Sequence, residues 1–172
     1  MKDVELRLIS ELMKNSRRSD RELAKVLGVS QPTVSRTIKS LEKEGIIKEY
    51  TMIPEWHKLG YEIFALTFAS IKKDATTEQI EQLRKIGKEA VKEIALETVM
   101  VIRGMGLEHQ AAIASFHQDY SAFVNFKRII ANYPFIDASN IESFLVTLPD
   151  WQYKSLTFST LAKHVLSQKE KK

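Results

Sequence analysis

The stretch from Asp20 to Lys39, DRELAKVLGVSQPTVSRTIK, constrains the fold of this chain more than any other. Leu23, Ala24 and Leu27 share one face at helical spacing, and Ser19 or Asp20 can accept from the free amides of the first turn. Glu22, three residues past Ser19, completes a capping box. Gly28 then allows a left-handed corner, and the small Ala24 before it lets a second helix approach closely. That second helix opens on Ser30 as N-cap with Pro32 in its first turn, and Val34, Ile38 and Leu41 follow at spacings of four and three. The spacing predicts two short helices crossing at a glycine corner.

With Val34, Ile38 and Leu41 inward, the second helix turns Pro32, Thr33, Arg36, Lys39, Ser40 and Lys43 outward. Duplex DNA is read by groups of this kind. Arg36 and Lys39 suit phosphates or guanine edges, Lys43 lies on the same outward face, and Gln31, Thr33, Ser35 and Ser40 are short hydrogen-bonding groups for bases. Any amphipathic helix has a polar outer face; the glycine-cornered spacing and the nearby Arg17, Arg18 and Arg21 turn the reading toward DNA. These ten residues are the candidate DNA-binding set.

At 172 residues and 44% hydrophobic content, the chain can fill one large core or two small ones. No window approaches the roughly 18 uninterrupted apolar residues of a membrane span. The start, MKDVELRLIS, reads as a charged amphipathic helix rather than a signal peptide, so a cytoplasmic protein is expected. Without cysteine there is no disulfide framework, thiolate metal site or cysteine nucleophile. The net charge of +4 is unevenly spread: residues 1–60 and 163–172 are basic, and residues 61–162 are net acidic. Affinity for DNA depends on how many positive groups reach phosphates, not on this total.

Along the chain, 3–15 reads as a helix with Val4, Leu8, Ile9 and Leu12 on one side, the third member of the bundle. Gly45 ends the segment LEKEG, and the run Ile46 to Ile53 suggests a two-stranded wing or a strand leading out of the domain. The expected divisions are 1–53 as a winged helix-turn-helix DNA-binding domain and 54–60, PEWHKLG, as a linker. Residues 61–148 then form a second domain and 149–172 an extension. In the second domain, 61–71 reads as a strand, and Thr76 with Gln79 caps a helix bearing Ile80, Leu83, Ala90, Val91 and Ile94. Strands near 98–102 and 110–116 flank the turn RGMGLEH as a hairpin. Asp119 caps a helix with Phe123, Phe126, Ile129 and Ile130 that stops at Tyr133-Pro134, and 141–148 is the last strand. The order β-α-β-β-α-β is the ferredoxin-like split βαβ arrangement, which makes the chain α+β.

Two helices cover one sheet face. The other offers Phe64, Leu66 and Phe68 on the first strand and Phe144, Val146 and Leu148 on the last, which predicts a homodimer through this domain. In the extension, 151–158 suggests a further strand and 159–168 an amphipathic helix with Leu161, Val165 and Leu166.

Together, RELAKVLGVSQPTVSRTIKSLEKEGII, the linker ending in LGY and the β-α-β-β-α-β domain resemble the Lrp/AsnC, or feast/famine, transcription regulators over about residues 3–148. The resemblance implies a sequence-specific regulator that binds a pseudo-palindromic site on double-stranded DNA as a homodimer, often in higher assemblies. It also implies a small-molecule effector, commonly an amino acid, bound at subunit contacts near the glycine turn: Gly104, Met105, Gly106, Leu107 and Glu108. Family members often continue that turn with aspartate and tyrosine, whereas Leu107, Glu108 and His109 follow Gly106 here, and 149–172 extends beyond the family's last strand. Taken alone, a hairpin needs glycines for backbone reasons, and this one is too short for a phosphate cradle.

Two other readings compete. A ligand sensor or adaptor could use the same fold without DNA, as Glu42, Glu44 and Glu49 after the second helix would suit. Siroheme decarboxylases share the two-domain plan and use histidines in the second domain. Here TVMVIRGMGLEHQ replaces their histidine-, tyrosine- and arginine-rich stretch, and His57, His109, His117 and His164 form no H-x-x-x-H or carboxylate-histidine cluster in sequence. The four are expected as surface or partly packed side chains. No catalytic residue, metal site, cofactor or membrane partner is expected.

Overall fold

The computed structural model describes residues 1–82, 85, 97–148 and 157–167. The chain divides into two compact units, Met1–Ile53 with Lys154–Lys172, and Pro54–Tyr153.

In the first unit, α1 (Asp3–Lys14), α2 (Asp20–Leu27) and α3 (Gln31–Lys43) close around Leu8, Leu23, Ala24, Leu27, Val34 and Leu41, with Ile9, Leu12 and Ile38 against them. Each helix start follows its local signal. Ser19 Oγ accepts from the Glu22 amide at 3.3 Å while the Glu22 carboxylate accepts from the Ser19 amide at 2.8 Å, so two orphan donors are satisfied reciprocally. Gly28 sits at φ 71°, ψ 33°, and its amide donates to Ala24 O at 2.9 Å, closing α2. Ser30 caps α3.

Residues 46–53 form no strand, where a two-stranded wing or a strand leading out of the domain was expected. Their β-branched and aromatic composition suits a ladder, but among the described residues no strand of this unit lies beside them, and Ile46, Tyr50, Met52 and Ile53 stay exposed. The segment is held back to α3 by Tyr50, whose hydroxyl donates to Glu42 Oε1 at 3.1 Å.

Lys154–Lys172 of the extension belongs to the first unit. A 3-10 turn at Ser159–Leu161 leads into a short helix, which we number α6 (Ala162–Ser167), and both pack on α1. The expected helix is present, but the buried residue is Ala162, while Leu161 and Leu166 are exposed. The strand expected over 151–158 falls almost wholly outside the described residues.

The second unit begins with what was expected to be a linker. The 3-10 turn Trp56–Leu59 lays Trp56 flat on Phe116, with ring centroids 4.2 Å apart, and Tyr61 meets Trp56 edge-on at 5.4 Å. This aromatic stack fastens 54–60 to the sheet. The sheet comprises β1 (Ile63–Ile71), β2 (Thr98–Gly106), β3 (His109–His117) and β4 (Ile136–Thr147), in the antiparallel order β2-β3-β1-β4. Residues 77–82 open α4 behind the Thr76–Gln79 capping box, and α5 (Tyr120–Ala131) follows the Asp119 cap. Of the expected α4 core set, Ile80 is described, while Leu83, Ala90, Val91 and Ile94 lie outside the described residues.

Ala65 and Ala69 of β1 and Ile141 of β4 form one core with Phe123, Phe126 and Ile130 of α5. Small residues on the strand let the aromatic helix face sit close. Ile129, expected in this face, is 40% exposed. Phe64, Leu66 and Phe68 lie on the opposite sheet face, paired across from Val146, Phe144 and Glu142.

Candidate nucleic-acid interface

The outer face of α3 carries the candidate reading residues. Gln31, Arg36, Lys39, Ser40 and Lys43 are exposed, Thr33 and Ser35 half-buried, while Val34 and Leu41 sit fully in the core and fix the rotation of the helix. Several polar groups are occupied. The Ser30 and Thr33 hydroxyls lie 2.8 Å apart, Arg36 Nε donates to Pro32 O at 3.3 Å, and Ser40 Oγ donates to Glu44 Oε1 at 2.7 Å. The Arg36 bond uses one guanidinium edge and leaves the terminal nitrogens to turn outward. Arg17 and Arg21 are exposed beside α2, but Arg18 is bound by Glu11 of α1. That ion pair, with Lys14 on the same carboxylate, holds Glu11 below the usual carboxylate range, the Lys14 hydrogen bond contributing most. Arg18 therefore differs from its neighbours: it joins α1 to the loop before α2. Tyr50 is pushed up to about 12 by burial and by its bond to Glu42, so its phenol stays a proton donor at neutral pH.

The hairpin in the second unit departs from expectation. Gly104 and Gly106 lie within β2, and the two-residue turn is made by Leu107 (φ 51°) and Glu108 (φ 61°), with Gly106 opposite His109. Both turn residues are left-handed, as a type I′ hairpin requires, so the glycines' freedom is not used at the turn itself. Met105 is 97% and Leu107 76% exposed. A depression of about 310 Å³ opens beside Ile129, Asn132, Tyr133 and Pro134, and none of the hairpin residues lines it.

Sequence spacing missed two histidine networks. His109 is buried at the base of the hairpin, with Nδ1 3.1 Å from Ser70 Oγ and Nε2 3.4 Å from Glu142 Oε2. Ser70 Oγ also donates to Glu108 O at 3.0 Å and accepts from Asn140 Nδ2 at 2.8 Å. A hydroxyl has one proton and two lone pairs, so all three bonds coexist only when His109 Nδ1 carries a proton. In the second network His117, fully buried between Phe123 and Phe126, joins Ser115 Oγ to Nε2 and Glu97 Oε2 to Nδ1, each at 2.8 Å. These are carboxylate-histidine contacts between residues far apart in sequence, and both histidines are buried where surface or partly packed side chains were expected. Serine, histidine and glutamate in a row resemble a hydrolytic relay, but Ser115 is fully buried, and no substrate carbonyl can reach its oxygen. The network satisfies polar groups under α5. Among the described residues no cluster of three metal-ligating side chains occurs, and no helix is long and apolar enough to cross a membrane.

A family model described as winged helix-turn-helix DNA-binding matches residues 1–48. An HTH-type transcriptional regulator of Pyrococcus furiosus is 40% identical over 89 residues, 52% of this chain and 57% of that protein. The HTH-type transcriptional regulator LrpC of Bacillus subtilis is 39% identical over 69 residues, 40% of this chain and 48% of LrpC. The chain thus spans about half the length of these curated relatives. Similarity of fold extends further. The structure of Escherichia coli AsnC superimposes with a TM-score of 0.71 at 19% identity, covering 92% of this chain and 98% of AsnC. A transcriptional regulator of Neisseria meningitidis in complex with L-Met gives 0.72 at 20% identity, covering 94% and 99%. Residues 1–48 thus match a winged helix-turn-helix DNA-binding family, the curated relatives similar to this part of the chain are HTH-type transcriptional regulators, and the two-unit architecture has the fold of AsnC.

Proposed function

We propose that this protein is a sequence-specific DNA-binding transcription regulator of the cytoplasm that grips a pseudo-palindromic duplex site as a homodimer. The observation that carries this reading is α3: an outward face of Gln31, Arg36, Lys39 and Lys43 on a helix whose rotation is fixed by buried Val34 and Leu41. Thr33, Ser35 and Ser40 supply short polar groups beside them, and Arg17 and Arg21 supply phosphate contacts. Arg18 contributes to the position of α2 through Glu11. The regulators among its relatives support the same conclusion.

The homodimer rests on the uncovered sheet face, where Phe144 is 64% exposed and Phe64, Leu66 and Phe68 are only half-buried. A dimer places two α3 helices about one duplex turn apart. A small effector, such as an amino acid, is assigned to the hairpin residues Gly104 to Glu108; the L-Met complex of a regulator with the same fold supports that class. Such a ligand regulates only by binding one assembly geometry better than another.

The test is a salt titration of duplex binding with Arg36→Ala beside the parent protein. A base-reading Arg36 loses about 1 to 3 kcal/mol on the preferred site and little on random DNA; a phosphate contact loses affinity uniformly and lowers the salt slope by about 1. Unchanged affinity on every duplex would overturn the orientation assigned to α3.

A further inference from the structure

The β2–β3 hairpin and the turn between α5 and β4 lie at the same end of the sheet. Ala69 of β1 pairs with Ala111 of β3, and Ile71 with Ile136 of β4, so the end of β1 stands beside the starts of both β3 and β4. The Lys72 amide donates to the Phe135 carbonyl at 2.9 Å and holds the α5–β4 turn there. In the order β2-β3-β1-β4 the hairpin belongs to one edge and the turn to the other. At about 4.8 Å per strand, the two features are roughly 12 Å apart. One is a knob and the other a hole. Met105 is 97% and Leu107 76% exposed, whereas Ile129, Asn132, Tyr133 and Pro134 line a mostly apolar depression of about 310 Å³. At roughly 30 Å³ per heavy atom, one water's share of volume, the Met105 and Leu107 side chains together need about 240 Å³. Each feature also keeps a residue other than glycine in the left-handed region, Leu107 at φ 51° and Phe135, next to Pro134, at φ 68°.

We propose that the hairpin tip of one copy docks in this depression on a second copy, and that the second copy returns the contact. A two-fold axis normal to the sheet and just beyond this end exchanges the edges, so each hairpin meets the other copy's depression and the contact closes on itself. The charges agree. Glu108 is exposed beside Leu107, and Arg128 is exposed beside Ile129, one helical turn before Asn132. Lys72, Lys73 and Asp74, exposed on the connection that leaves β1 between the two features, give the middle of this end both signs. Ile129, 40% exposed where a core position was expected, gains an apolar neighbour. Two such knobs bury well under the roughly 1,200 Å² of a stable interface, so the contact is weak alone and gathers strength between copies already paired through the sheet face. That gain, and any control of the contact by a ligand held at Gly104 to Glu108, rest on the function proposed above; the docking itself does not.

The chain has no cysteine, so single-cysteine variants of the full chain report the contact directly. At high protein concentration and under mild oxidation, Leu107→Cys mixed with Asn132→Cys should form a mixed disulfide about tenfold faster than Leu107→Cys mixed with Tyr120→Cys. Tyr120 is exposed on the same helix as the depression but follows β3 at the opposite end of the sheet. A chain carrying both Leu107→Cys and Asn132→Cys should not close on itself, because disulfide-bonded Cα atoms lie within about 7 Å of each other. Adding Glu108→Arg to the first chain, or Arg128→Glu to the second, should slow the cross-link about fivefold, and adding both should restore it. These positions are exposed, and urea midpoints near the parent's check that each variant keeps its fold. Equal rates at 132 and 120, closure within the doubly substituted chain, or a reversed charge pair as slow as either single reversal would overturn the docking. A fast cross-link whose rate no added amino acid alters would uphold the docking and sink the effector assigned to the hairpin.

Discussion

Gly28 and Leu107 occupy the same left-handed backbone region, at φ 71° and 51°, and only one of them has the residue type that region favours. For an L side chain the region costs roughly 1 to 2 kcal/mol. Gly28→Ala should therefore destabilise the first unit by about 1 kcal/mol even though a methyl group there would meet no neighbour within 4 Å, since the penalty is conformational rather than steric. Leu107→Gly should stabilise the hairpin by up to about 1 kcal/mol, whereas Gly104→Ala, in extended backbone with open space around it, should change little. Urea unfolding of the three variants reads all three signs, and a costly Gly104→Ala would show that the strand glycine has a role the isolated chain does not reveal. That an exposed leucine is kept at a strained turn fits a residue held for contact with a partner or ligand.

At the scale of elements, the helices begin where short-range chemistry tells them to. Ser19→Ala removes one half of the α2 capping box and should cost about 1 kcal/mol. The same box gives the first unit an acid-side sensitivity. The Ser19 amide, followed by its hydroxyl, holds the Glu22 carboxyl below the usual range. A lowered folded-state value means stabilisation that is present above the unfolded value and lost as pH falls through the folded one. Urea midpoints measured from about pH 6 to about pH 3 should therefore decline less steeply for Glu22→Gln than for the parent. Caps at Ser19, Ser30, Thr76 and Asp119, the Gly28 corner and the strand order could all be read from residues within a few positions of one another. What could not be read depends on partners distant in sequence. Ser10 looks like an ordinary surface serine until α6 covers it, and Arg18 like a free cation until Glu11 takes it. The Trp56 stack on Phe116 and the joining of His117 to Glu97 need the sheet to exist first. The strand expected at 46–53 is absent for the complementary reason: its strand-like composition has no ladder partner among the described residues of its own unit.

For the whole molecule, the two sheet faces set the terms of assembly. One face is filled by Phe123, Phe126 and Ile130 of α5. On the other, Phe144 stands opposite Leu66 in the register and is 64% exposed, and Met100 and Ile102 of the edge strand are also open. Apolar area of this kind gains roughly 25 cal/mol for each Å² withdrawn from water, which a second copy of the same face can supply symmetrically. Phe144→Lys places a charge in that contact without touching the α5 core. The expected outcome in sedimentation is a folded monomer where the parent sediments as a dimer, with an unfolding midpoint that no longer rises with protein concentration. Binding to a paired site should then fall on the order of a hundredfold while binding to a single half-site is nearly preserved, because joining two readers raises the effective concentration of the second without changing either contact. A Phe144→Lys protein that still sediments as a dimer would move the interface to another surface, and α3 would then read DNA at a spacing set elsewhere in the molecule.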